Sequence, residues 1–413
     1  MSGGSGRALG MSYLVAGVAG IAFFVMSVAL LGEWPRRVLT EQTLAMAPAH
    51  ALGPTETEER GRAIYAREGC GYCHTQQIRY LDADIARFGS PTLAWETRFD
   101  FPHLWGTRRI GPDLARAGAT RPEDWQFAHL FAPRSVVPLS IMPAYRSFFD
   151  GAPDRPRQSA RDLVAYLESL GRARELAWPE GDEAARAAAP DDPWAAMALD
   201  APLLNAHPAK TRPRGGAPNL NDVEPSTRGL QLWTDYCAAC HGESGESEGP
   251  GAPWLRPRPT NLTEHEYTRR RVADVLWNGV LGTAMPAWRD HPPADLAALV
   301  AVVRGFSSAD QAPDPTADVL AIGARLYTAN CAQCHGDDGR GDGFAVNELD
   351  VAPTDFGEQR PSLAAALRAL RTGVDGTPMA PWTDRLDEDQ LLAVAHFVRG
   401  LFEADGATGS GSR

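Results

Sequence analysis

The sequence predicts a mainly α-helical protein with one membrane-spanning helix near its N-terminus and three small helical modules after it. Three observations carry that prediction. Residues 11–31 form a run of 21 without a charge. The pattern Cys-x-x-Cys-His occurs three times, from Cys70 to His74, Cys237 to His241 and Cys331 to His335, and uses all six cysteines. The second and third occurrences lie in an internal repeat of 94 residues. At 413 residues the chain is too long for one core, and three modules with an anchor fit that length.

About 20 apolar residues cross a bilayer as a helix. The run from Met11 to Leu31 is long enough, and Glu33-Trp34-Pro35-Arg36-Arg37 closes it with charge and an interfacial aromatic. A cleaved signal peptide has an apolar core of only about 7–15 residues, so the run reads as a retained anchor. Ala45-Met46-Ala47 is the competing cleavage-like stretch. Arg7 precedes the run and Arg36 and Arg37 follow it, so charge gives no orientation. Residues 1–10, small and polar, are expected to be disordered.

Two cysteines at this spacing, followed directly by histidine, are the attachment signature of a c-type haem. The thiols add to the haem vinyl groups as thioethers, and the histidine is placed beneath the iron as proximal ligand. A zinc half-site or free thiols are the bland alternatives. Three matches with no stray cysteine favour haem. The expected cofactors are three covalently bound c-type haems, on Cys70 and Cys73, Cys237 and Cys240, and Cys331 and Cys334. Their axial histidines are His74, His241 and His335. Haem attachment implies an extracytoplasmic location in bacteria. Everything beyond Leu31 is therefore expected on the periplasmic side of the inner membrane, with lipid around a single-pass anchor.

A haem iron that shuttles electrons needs a sixth ligand, and methionine sulfur raises its potential. Each module offers one methionine with proline beside or near it and an aromatic three residues on. They are Met142 in Ile-Met-Pro-Ala-Tyr, Met285 in Ala-Met-Pro-Ala-Trp and Met379 in Pro-Met-Ala-Pro-Trp. An isolated methionine is more often core packing; the threefold recurrence favours ligation. Pro112, Pro259 and Pro353 fall between haem stretch and methionine. In class I cytochromes a proline there lends its carbonyl to the proximal histidine's other nitrogen; otherwise these are turn prolines. The expected fold is thus three class I cytochrome c domains, at 56–174, 226–306 and 317–405. A mobile or surface-packed linker at 175–225 and a disordered tail at 406–413 complete the chain.

Within domain one, Leu163, Tyr166, Leu167 and Leu170 predict a closing amphipathic helix. Leu296 to Gly305 and Leu391 to Phe402 predict the same for the other two. The repeat equates Met285 with Met379, and Gly229, Leu232, Gly242, Gly279 and Trp288 with identical residues.

The net charge of −12 and the absence of a basic cluster beyond Arg269-Arg270-Arg271 exclude nucleic acid as a partner. That triplet reads as the solvated face of a helix. Lys210 is the only lysine, which argues against a lysine-ringed docking face. His103, His129, His207, His265, His291 and His396 lack a recurring context and read as structural or exposed. No catalytic constellation is apparent, and no cysteine is left for a copper site.

Domain one resembles the membrane-anchored monohaem subunit (subunit II) of cbb3-type cytochrome c oxidases. The resemblance rests on Glu68-Gly69-Cys70 through Thr75-Gln76, Leu104-Trp105-Gly106-Thr107-Arg108-Arg109-Ile110-Gly111-Pro112-Asp113-Leu114 and Pro133-Arg134-Ser135-Val136-Val137-Pro138. It continues through Ile141-Met142-Pro143-Ala144-Tyr145 and Asp162-Leu163-Val164-Ala165-Tyr166-Leu167. The rest resembles that oxidase's dihaem subunit at the level of generic class I modules. Three haems in one polypeptide depart from the usual two chains. The resemblance implies electron delivery to a polytopic haem–copper catalytic subunit. The donor would be a soluble or membrane cytochrome c, or a quinol-oxidising complex. Two alternatives stay open: the cytochrome subunit of a periplasmic dehydrogenase that reduces quinone, and that of a nitric oxide reductase.

Overall fold

The computed structural model describes residues 3–38, 41, 53–82, 84, 88, 91–97, 99–100, 102–119, 121–172, 217, 220, 224–280, 282–288, 291–307, 312–346 and 349–404. Helix α1 (Gly3–Ser27) continues through a widened turn at Val28–Glu33 to residue 38. Its apolar side chains face outward, with Phe23 and Phe24 about 70% exposed and Leu31 80%. A bare apolar cylinder of this length fits a membrane anchor. Residues 3–10 are not disordered as expected but form the first turns of α1. Once the apolar run has nucleated a helix, each added residue gains a hydrogen bond at little cost.

Three separate cores follow, one per Cys-x-x-Cys-His stretch. In module one, α2 (Glu56–Arg67) starts at a capping box in which Thr55 and Glu58 satisfy each other's backbone amides. It packs across the closing helix α5 (Gln158–Ser169). Between them lie α3 (Glu123–Phe131) and the single turn α4 (Pro133–Val136). Module two has α6 (Thr227–Leu232), α7 (Ala238–His241), α8 (Arg269–Asn278) and α9 (Pro293–Gly305). Module three has α10 (Ala317–Asn330), α11 (Ala332–His335), α12 (Leu363–Thr372) and α13 (Glu388–Gly400). Pro293 at the first turn explains why α9 begins earlier than the apolar pattern, since proline suits a position whose N–H has no partner.

The first and last helices cross in all three modules over a glycine. A Cβ on Gly61 would fall 1.8 Å from the Asp162 carbonyl oxygen, on Gly229 2.8 Å from that of Ala298, and on Gly323 2.2 Å from that of Ala393. No side chain fits there. Around the crossing, Tyr65, Leu163, Leu232, Leu296, Leu299, Tyr327 and Leu391 are each 1% exposed.

Most of the expected linker, and the whole tail from 405, lie outside the described residues. The linker's last residues belong to module two instead. Leu220 is buried in that core, and the Ala217 amide donates to the Asp274 carboxylate at 2.9 Å. An apolar side chain this close to a core is drawn in.

Modules two and three face each other across a pseudo-twofold axis that follows the 94-residue repeat. Strands β1 (His265–Tyr267) and β2 (Gln359–Pro361) pair antiparallel with Glu266 opposite Arg360, its own repeat mate. The flanking bonds obey the same symmetry: Thr268 donates to Glu358 at 3.0 Å and Ser362 to Glu264 at 2.7 Å. Gly282 lies against Asp350, and its mate Gly376 against Arg256. The arginine triplet is not purely solvated, because Arg270 pairs with Glu358 of module three.

Gly61→Val should therefore destabilise module one by about 1–3 kcal/mol or more, through overpacking at the helix crossing. Thermal unfolding of full-length protein, followed at module one, checks this; an unchanged midpoint would contradict the crossing.

Candidate haem-binding sites

Cys-x-x-Cys-His places its first cysteine, second cysteine and histidine at i, i+3 and i+4, which one helical turn brings to one face. In module one that turn is a tight helix at Cys70–Tyr72, and the His74 amide donates to the Cys70 carbonyl at 3.0 Å. In modules two and three it is α7 and α11. All six thiols are unbridged. Burial pushes Cys70 up to about 11, Cys237 to about 12, Cys240 to about 11 and Cys331 to about 11. Zinc is bound by thiolates, and among the described residues no group of three or more His, Cys, Asp and Glu stands in metal-holding geometry. Cys70, Cys237 and Cys331 lie against the three apolar cores, where an apolar macrocycle held by thioethers would be covered.

Burial lowers the pKa of His74, His241 and His335, and a backbone carbonyl opposes it in each case. His74 Nδ1 lies 2.8 Å from the Pro112 oxygen. Facing a carbonyl, Nδ1 carries the proton and leaves Nε2 as the free donor atom. Gly111 is required beside it, because a Cβ there would fall 2.2 Å from His74 Cε1. The other modules depart from the expected proline. His241 Nδ1 faces Thr260 O at 3.2 Å and His335 Nδ1 faces Thr354 O at 3.4 Å, each one residue beyond Pro259 or Pro353. In module two the Pro259 carbonyl is engaged by the Ser247 hydroxyl at 2.6 Å, so the next carbonyl turns to the ring.

The methionine loops are built alike. A hydroxyl two residues upstream accepts the methionine amide: Ser140 for Met142 at 3.2 Å, Thr283 for Met285 at 3.1 Å and Thr377 for Met379 at 3.2 Å. The aromatic three residues downstream ties the loop to the preceding helix. Tyr145 donates from its amide to Leu130 O at 2.8 Å, Trp288 to Leu276 O at 2.7 Å and Trp382 to Leu370 O at 2.8 Å. Each methionine packs against its own module's core. The buried indole N–H groups of Trp288 and Trp382 have no acceptor among the described residues. Two repeat-related orphan donors beside the methionine loops fit a group that brings its own acceptors, as haem with its carboxylates does.

The remaining histidines fall where no recurring role was expected. His103 stacks on Trp105 at 4.3 Å and His129 on Trp125 at 4.6 Å, while His265 Nδ1 meets Asn261 O at 3.0 Å. His291 packs beside Tyr236 and Trp288, His396 is buried in α13, and His207 lies outside the described residues.

Module one differs after its histidine. Modules two and three turn there on Gly242 and Gly336, both at φ +79°. Module one has Thr75, whose hydroxyl donates to Asp113 Oδ2 at 2.5 Å and accepts from Arg109 Nε at 2.7 Å. Arg109 also holds Asp113, the Gln77 carbonyl and Asp84. Gln76, 2% exposed, accepts from the Tyr166 hydroxyl at 3.1 Å and ties the haem stretch to α5. Sequence inspection isolated Thr75-Gln76 as a motif but not Arg109 and Asp84 as its supports. Arg79, followed by Arg109, holds the Asp84 carboxyl well below the usual range. The unfolded chain binds that proton more tightly. The contribution is therefore full above pH about 4 and is lost as pH falls below it. Asp84→Asn should flatten this acid-side loss of module-one stability. Asp113→Asn, which leaves Arg109 with Asp84 as its one remaining carboxylate partner and weakens the bond to the Thr75 hydroxyl, should cost about 1–2 kcal/mol at neutral pH. Denaturant titrations across pH check both.

Comparison with known proteins follows the same division. Residues 18–172 match the family described as cytochrome c oxidase, mono-heme subunit/FixO. Residues 224–302 and 318–398 each match the family described as cytochrome c oxidase, cbb3-type, subunit III. The cbb3-type cytochrome c oxidase subunit CcoP of Cereibacter sphaeroides is 38% identical over 198 residues, covering 45% of this chain and 63% of the relative. Subunit FixP of Bradyrhizobium diazoefficiens is 27% identical over 219 residues, covering 45% and 67%. FixP of Sinorhizobium medicae is 26% identical over 182 residues, covering 42% and 59%. The chain thus spans about three-fifths to two-thirds of the length of these relatives. It joins, in one polypeptide, a cytochrome c domain of the mono-haem FixO family and two cytochrome c domains of the cbb3-type subunit III family.

Proposed function

We propose that this chain is a membrane-anchored, three-haem electron carrier that delivers electrons to the haem–copper catalytic subunit of a cbb3-type oxidase. The observation that carries the reading is the combination itself. A FixO-type module stands next to an apolar anchor, and a docked pair of subunit III modules follows in the same chain. Haem held by Cys70 and Cys73, Cys237 and Cys240, and Cys331 and Cys334 supplies a one-electron couple in each module. The chain's own residues do the rest. The carbonyls of Pro112, Thr260 and Thr354 fix the orientation of His74, His241 and His335. Ser140, Thr283 and Thr377 set the loops that present Met142, Met285 and Met379 as sixth ligands. The three apolar cores back the sites.

The proposed order of flow runs from modules two and three to module one, with the haem domains on the periplasmic side. Module one adjoins the anchor and faces the catalytic partner. Glu243, Glu246, Glu248, Asp337, Asp338 and Asp342 are all exposed on modules two and three. They would steer a donor with a basic surface, and added salt would slow the encounter.

Pyridine haemochrome assay and intact mass of the matured protein should give three haems per polypeptide; two or fewer would overturn the reading. Met142→His should lower the potential of module one, because imidazole donates more strongly than thioether. Turnover should then slow while modules two and three still reduce at normal rates with donor. If they stay oxidised until module one is reduced, the order is reversed.

A further inference from the structure

Modules one and two are docked through a small, specific contact. The Asp124 carboxylate at the start of α3 accepts the Arg256 backbone amide of module two. Gly251 of module two lies against Ser135 and Val136 of α4, close to the turn that carries Cys240 and His241. Arg256 also reaches module three through an ion pair with Asp375 at 2.7 Å. One residue therefore touches all three modules.

A stacked column runs through this contact. The Arg121 guanidinium lies 4.9 Å from the centre of the Trp125 ring. Trp125 in turn stacks on His129, with centroids 4.6 Å apart and planes only 9° from parallel. The i, i+4 spacing of the three along α3 and its approach makes the column. Its two ends couple electrostatically to different Cys-x-x-Cys-His stretches. Arg121 is half-buried, and its electrostatic neighbour is Cys240 of module two. His129 is pushed down to about 4, first by burial and then by His74 of module one and Arg121. His129 Nδ1 is buried with no hydrogen-bond partner. The ring thus joins the column by stacking rather than by hydrogen bonding.

We propose that Arg121, Trp125 and His129 form the bridge along which an electron crosses between module two and module one. The proposal rests on the three-haem reading above. The ferrous haem of module two is the reductant and becomes ferric; the ferric haem of module one takes that single electron and becomes ferrous. No bond forms or breaks, no proton moves, and the column is unchanged at the end. The side chains supply electronic coupling, and the Asp124–Arg256 bond holds the two modules in register.

The test uses the full-length, haem-loaded protein. Trp125→Leu should slow electron equilibration between modules two and one severalfold after rapid photoreduction, while Trp125→Phe, which keeps a stacked ring, should restore most of the rate. Haem content by mass and the three midpoint potentials by redox titration should match the parent in both. Asp124→Asn should raise hydrogen exchange at the Arg256 amide and slow the same step. An unchanged rate in Trp125→Leu, with three haems and normal potentials, would overturn the bridge and leave the carrier function standing. Fewer than three haems in the parent protein would instead remove the reading beneath it.

Discussion

Each module depends on the crossing of its first and last helices over a glycine. The haem stretch hangs from the end of the first helix, and the methionine loop leads into the last. Bringing Gly61, Gly229 and Gly323 to within contact of a facing backbone carbonyl sets how far apart those two segments stand. Interiors pack as densely as organic crystals, so a single added methyl is felt at such a contact. The buried Leu, Ile and Tyr side chains around the crossing then supply the apolar burial that holds it. The Cys-x-x-Cys-His histidine and the loop methionine of each module are thereby placed by packing.

Duplication explains the geometry between modules two and three. Each surface segment meets the same segment of its copy, so a self-complementary patch pairs with itself as in a twofold dimer. Glu266 opposite Arg360 sits where the pseudo-axis crosses the β pair. Module one is not related by that axis. It docks instead through α3 and α4 onto the loop around Arg256. The two contacts differ in character: one is symmetric backbone pairing, the other a carboxylate capping a single amide beside a stacked column.

Module one also shows how a local exchange is absorbed. Losing the glycine after the histidine removes an easy left-handed turn. Thr75 occupies the position because Asp113, Arg109 and Asp84 form a buried charge network around its hydroxyl. A buried charge network is tolerated only when every member is paired, and this one closes on backbone groups as well. Such a network stiffens one module and gives it an acid sensitivity.

What the sequence by itself determined is what short spacing encodes. Cysteines at i and i+3 with histidine at i+4 share one helical face whatever surrounds them, and 21 uncharged residues are long enough as a helix to cross a bilayer. The methionine loops were legible because they recur three times with the same proline and aromatic flanks. Tertiary structure alone decided which carbonyl meets each histidine, since Thr260 and Thr354 stand where their neighbouring prolines were expected. It decided that the end of the linker belongs to module two, because Leu220 finds a core. It also decided that His129, one unremarked histidine among six, stacks on Trp125 between two haem stretches. The contact that docks module one on module two joins Asp124 and Arg256, 132 positions apart, and no local period in the chain records such a meeting.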